Sequence, residues 1–195
     1  MDYGALQKLS GRLYFTAGDA AEIFNITIPS ARVLCTRYVK RGIFLRLKKN
    51  FYVLDQNWKN ISREDRLKIA NFLQVPSYVS FMTALSLYEV TTQVQRDFFE
   101  SASLKRSVRF DARGTVFNYY KMKKEYYFDF IKKDKIFIAT SEKAFVDMVY
   151  LYSFGKYAVD FASLDVEKLD KGRLRKITAV FPQKTRNIVR RVCRT

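Results

Sequence analysis

The chain is 195 residues long and carries 36 Lys and Arg against 19 Asp and Glu, a net charge of +17 that points to a polyanionic partner: nucleic acid, an anionic membrane or a strongly acidic protein. It has no histidine, two cysteines and seven scattered glycines, which excludes Ser-His-Asp and Cys-His catalysis, His-ligated metal centres, P-loops and dinucleotide fingerprints. Hydrophobic residues make up 48% of it, which excludes global disorder, and no apolar run approaches about 18 residues.

A lead-in helix is expected within residues 1–15, with Leu6, Leu9 and Leu13 as its apolar stripe. Thr16 and Asp19 have the spacing of a capping box ahead of Ala20, Ala21 and Ile23, so a short helix is predicted over 17–25. Thr27 caps a second helix with Pro29 in its first turn, where a missing N–H is harmless. Gly42 ends that helix, and 43–54 reads as a hairpin tipped by Lys48, Lys49 and Asn50. Two short helices, a tight turn and a basic-tipped hairpin follow the order of a winged helix-turn-helix.

The second helix has two faces at about 100° per residue. Ala31, Leu34, Cys35 and Tyr38 fall inward, while Arg32, Val33, Thr36, Arg37 and Lys40 fall outward. With Arg46, Lys48 and Lys49 of the hairpin, the outer set supplies cations for phosphates or guanine edges, a hydroxyl and a methyl-bearing side chain for thymine. No Asp or Glu occurs between Ile23 and Leu54. Double-stranded DNA is the expected partner of this face.

Residues 55–61 read as a polar connector. Ser62 to Asp65 has capping-box spacing again and opens a helix stopped by Pro76, and Ser77 is expected to cap a further helix over 78–88. From Phe98 to Ile138 the pattern turns to strands, with pairs such as Val108/Phe110 and Val116/Phe117 between turn signals. Thr140 caps a long helix whose Phe145, Met148, Val149 and Tyr152 share a face, and two more helices are predicted over 171–181 and 182–192. The fold class expected is α+β (mixed α/β). A winged helix over 1–57 precedes a domain over 62–195, which has a small, mainly antiparallel sheet and C-terminal helices.

From Lys171 onward no acid occurs, while Arg175, Lys176, Arg186, Arg190 and Arg191 form a second basic surface interleaved with apolar residues at helical spacing. Three readings stand side by side: a solvated face, a second nucleic-acid contact, or a docking surface for an acidic protein. Cys35 and Cys193 read as two reduced structural thiols. The N-terminus lacks a signal-peptide pattern, so a soluble cytoplasmic protein with no membrane partner is expected.

Two segments of the second half, 76–85 (PSYVSFMTAL) and 138–147 (IATSEKAFVD), resemble the "PSYISxxSAL" and "IATPEKALLD" signatures of AbiEi-type antitoxins. The winged-helix segment before them is similar to that family's N-terminal regulator module. Asn50 stands where the family usually has Gly, Glu89 where Gly often follows, and Ser141 where Pro is usual. The resemblance implies a repressor that binds repeats in its own promoter. It also implies an antitoxin that counteracts a nucleotidyltransferase-like toxin, often without a stable complex.

Motif residues expected to matter in the antitoxin domain are Tyr78, Ser80, Thr83, Glu142, Lys143 and Asp147. Helix capping and the helix dipole account for several of them equally well. Asp147, beside Phe145 and Met148, is expected to be partly buried against an Arg or Tyr. The chain therefore reads as a non-enzyme with no cofactor and no metal. In the absence of a coiled-coil seam, a monomer on each half-site is preferred. A metal-dependent nuclease using Asp129, Asp134 and Glu142 is the first alternative, although the spaced Asp…Glu-x-Lys cluster is missing. A basic RNA-binding protein using Tyr and Phe for stacking is the second.

Overall fold

The computed structural model describes residues 3–93 and 95–194; the first two residues of the stretch in which the lead-in helix is expected and the last of the basic tail lie outside the described residues. The chain divides into two compact units, Met1–Ile69 with Phe110–Gly114, and Ala70–Arg109 with Thr115–Thr195.

In the first unit, helix α1 (Tyr3–Ser10) precedes α2 (Ala17–Ile23) and α3 (Ile28–Lys40), and the hairpin β1 (Phe44–Lys48) and β2 (Phe51–Leu54) follows. The predicted capping box is present: the Thr16 side chain accepts from the Asp19 amide, and Asp19 accepts from the Thr16 amide. Thr27 caps α3 by accepting from the Ser30 amide, with Pro at the helix start. Helix α1 is shorter than expected. It ends at Ser10, and Leu13 lies beyond it in the non-helical stretch after Gly11. Phe15 and Tyr52 exchange two backbone hydrogen bonds of 2.8 Å, adding a one-residue rung beside the hairpin. Leu9, Phe15, Ala20, Ala31, Cys35, Tyr38, Phe44 and Leu54 form one buried cluster under these elements. The stretch read as a polar connector is instead helix α4 (Asp55–Lys59), because Trp58 is buried and draws the segment onto the unit.

Helix α5 (Arg63–Leu73) opens with the Ser62 hydroxyl accepting from the Asp65 amide. The chain then runs β3 (Ser77–Val79), α6 (Phe81–Leu87), β4 (Phe98–Ser103), β5 (Val108–Ala112), β6 (Thr115–Lys121), β7 (Phe130–Lys133) and β8 (Ile136–Ala139), all in the second unit except the end of β5 from Phe110 on. Helices α7 (Ser141–Ser153), α8 (Lys171–Thr178) and α9 (Gln183–Cys193) complete it. The class is mixed α/β, but the sheet departs from expectation. It has six strands in the order β5-β6-β4-β3-β8-β7, and it is mixed: β3/β4 and β7/β8 are antiparallel, β3/β8 and β4/β6 parallel. The reason lies largely in β3. Ser77 does not cap a helix; Ser77, Tyr78 and Val79 are all buried and extended, and they form a central strand between β4 and β8. The helix starts only at Phe81.

Helix α7 is buried on almost every side, packed against α6, α8, α9 and β8, with Phe145, Val146, Met148 and Val149 fully enclosed. Among the described residues no helix is long and apolar enough to cross a membrane.

Candidate functional site

Two places in the structure hold the sequence-predicted residues. The first is the outer face of α3 with the hairpin. Burying Ala31, Cys35 and Tyr38 on one side of α3 forces Arg32, Val33, Thr36, Arg37 and Lys40 onto the other, and all five are exposed. Val33 is 65% exposed, high for an aliphatic side chain that folding alone would have buried. The Thr36 hydroxyl donates to the Arg32 carbonyl at 2.9 Å, so its proton is committed to the helix. Arg46 and Lys49 are exposed on the hairpin, and Lys48 rests over the Phe51 ring at 5.4 Å. Burial and the neighbouring Cys35 raise the Tyr52 phenol, while Arg46 and Arg32 pull it down.

The second place is buried. Strands β3 and β8 are parallel neighbours with Val79 opposite Ile138, so the chain segments leaving them lie side by side. Tyr78 and Ser80 are two apart in extended chain and share a face. Lys143 and Asp147 are four apart on α7, which starts just after β8, and share a face too. The four meet. The Lys143 ammonium donates to Asp147 Oδ1 and, at 2.9 Å, to Tyr78 Oη. Tyr78 Oη and Ser80 Oγ each donate to Asp147 Oδ2 at 2.9 Å. The rings of Tyr78, Phe128 and Phe181 surround the ammonium at 5.3–5.4 Å.

All four residues have 0% exposure. Burial pulls the Lys143 ammonium below its ordinary value against the attraction of Asp147, and pushes the Asp147 carboxyl up against Lys143, Tyr78 and Ser80. Burial and Asp147 together hold the Tyr78 phenol well above its ordinary range. None of these groups can touch a partner where it stands. What the cluster does is tie α7 to β3 through a satisfied polar network. The two segments that carry the family resemblance are the two that build it.

The other motif residues are elsewhere. Thr83 accepts from the Glu100 amide at 2.9 Å. Glu142 accepts from the Asp170 amide at 3.1 Å and faces Arg173, whose guanidinium also reaches both oxygens of Asp129 at 3.2 and 3.3 Å. Asp134 lies in the turn between β7 and β8. Among the described residues no group of three His, Cys, Asp or Glu is placed to hold a metal ion.

Sequence reasoning missed Glu100. It is 2% exposed on β4, where Tyr157 donates to it at 2.9 Å and Tyr120 at 3.5 Å. Burial pushes its carboxyl from 4.5 up to about 7, against lowering hydrogen bonds from Tyr157, the Met82 amide, Tyr120 and the Thr83 amide. A lone Glu inside Phe98-Phe99-Glu100-Ser101-Ala102 was the available signal. Both cysteines are buried and free, with thiols pushed by burial up to about 11.

In the second basic surface, Arg175, Lys176, Arg190 and Arg191 are exposed and Arg186 is half-buried. Arg175, Arg186 and Arg190 line one hollow; Lys176 and Arg191 lie outside it.

No protein-family model matches the chain, and no curated protein matches it. Among solved structures, the crystal structure of the RV2827C protein from Mycobacterium tuberculosis is similar, with a TM-score of 0.65 at 9% identity over 98% of this chain and 75% of that one. The likeness is one of fold.

Proposed function

We propose that the chain is a sequence-specific DNA-binding repressor whose first unit is a winged helix, with α3 as the recognition helix and β1–β2 as the wing. The observation that carries this reading is the outer face of α3. Arg32, Val33, Arg37 and Lys40 stand exposed together there, in a segment with no carboxylate from Ile23 to Leu54. The one-residue rung at Phe15 and Tyr52 gives the hairpin the third short strand that a winged helix carries. The cytoplasmic antitoxin role, opposite a nucleotidyltransferase-like toxin, rests on the resemblance at 76–85 and 138–147. In this reading the protein binds rather than catalyses, one copy on each promoter half-site.

The test is a gel-shift titration of the full chain on the DNA upstream of its own gene, against a scrambled duplex, at two salt concentrations. Selective binding should weaken by about 1–3 kcal/mol in Arg32→Ala or Arg37→Ala if that residue reads a base. Equal binding to both duplexes would overturn the reading.

A further inference from the structure

Helices α8 and α9 pack with Leu174 and Ile177 of one and Val189 and Cys193 of the other buried. Their outer edges leave a hollow of about 350 Å³ lined by Arg175, Thr178, Ala179, Arg186, Val189 and Arg190. No carboxylate lines it. The acids around α8 are taken by other cations, Glu167 by Lys171, and Asp129 and Glu142 by Arg173. Among the described residues none of the three arginines has an ion-pair partner. Arg186 Nε is buried with no hydrogen-bond acceptor, an arrangement folded proteins ordinarily avoid.

Three arginines lining one hollow that no carboxylate lines make it a favourable place for an anion. Thr178 and Ala179 beside them on the lining are small. A planar carboxylate matches a single guanidinium fork, whereas a tetrahedral phosphate presents oxygens in several directions and can accept from three.

We propose that this hollow is a phosphate-binding site in which Arg175, Arg186 and Arg190 hold one phosphate group between α8 and α9. The phosphate comes either from a free phosphate compound or from the end of a nucleic-acid strand. The site shares no residue with the DNA-reading face and does not depend on that reading.

Isothermal titration of the full chain with pyrophosphate tests it. Arg175→Gln with Arg190→Gln removes two exposed guanidiniums, and Lys176→Gln with Arg191→Gln removes equal charge outside the hollow. Saturable one-to-one binding is expected, weakened about tenfold or more by the first pair and hardly changed by the second. Non-saturable binding, or equal losses in both pairs, would overturn the site and leave only net charge. Circular dichroism of each variant separates loss of binding from loss of fold. A short oligonucleotide compared with and without a 5′-phosphate identifies the source. A preference for the phosphorylated strand that vanishes in the first pair assigns the ligand to a strand end. Saturable pyrophosphate binding without that preference assigns it to a free phosphate compound.

Discussion

Asn50 Oδ1 accepts a hydrogen bond from the Ala17 amide at 2.9 Å, so the tip of the hairpin satisfies a free N–H in the first turn of α2. Asn50 does this from φ 59°, a left-handed conformation that Asn tolerates better than most residues. Its substitutions therefore separate two effects. Asn50→Asp should stay close to the parent in thermal unfolding. Asn50→Gly keeps the backbone but loses the acceptor, at about 1 kcal/mol, and Asn50→Ala loses both, at about 2 kcal/mol. A Gly variant as stable as the parent would remove the side-chain bond from this account.

Glu89 is the opposite case. It follows α6 at φ 57°, exposed, and its carbonyl accepts from Lys168 at 2.8 Å. A position just past a helix end in this conformation favours Gly. Glu89→Gly should stabilise the protein by about 1 kcal/mol, read from the urea midpoint at unchanged slope.

The buried pair predicts a strongly non-additive cycle. Lys143→Met leaves the Asp147 carboxyl without its cation in a fully enclosed place and should cost about 3–5 kcal/mol. Lys143→Met with Asp147→Leu should recover part of that loss, because the two apolar side chains need no counter-charge while the Tyr78 and Ser80 hydroxyls lose their acceptor. Urea unfolding of the two singles and the double measures the coupling. Additive losses would mean that the two charges do not act as a pair.

Glu100 makes stability depend on pH. Its folded carboxyl titrates near 7 and its unfolded one near 4.5, so the folded state holds the proton more tightly. Below 4.5 both states are protonated and nothing is lost. Between 4.5 and about 7 the folded protein loses stability as pH rises, by about 3 kcal/mol at about 1.4 kcal/mol per pH unit, and the loss is complete above 7. Glu100→Gln removes the titration, so its stability relative to the parent should rise between pH 5 and pH 8. An unchanged difference at the two pH values would show that Glu100 does not titrate in this range.

Helices α2 and α3 of the first unit were legible because their signals are local. Thr16 and Asp19, and Thr27 with Pro29, announce helix starts within a few residues, and the inward set Ala31, Cys35 and Tyr38 follows from helical spacing alone. Strand β3 was not legible, since three residues carry no period and Ser77 is as good a helix cap as a strand residue. The apolar neighbours of Asp147 point to partial burial against an Arg or Tyr; it is fully buried, against Tyr78, Ser80 and Lys143. That Lys143 would be buried with it was not legible, because Lys and Asp four apart on a helix usually mark a solvated face. Only the parallel pairing of β3 with β8, across some sixty residues of chain, encloses them.

The two cysteines fall one in each compact unit, Cys35 on the inner face of α3 and Cys193 at the end of α9. With both thiols enclosed and their ionisation pushed up to about 11, neither offers a thiolate to a reagent at neutral pH while its surroundings stay closed. Alkylation then becomes a clock that starts only on opening. Mass spectrometry of the two modified peptides would time the breathing of each unit separately within one molecule.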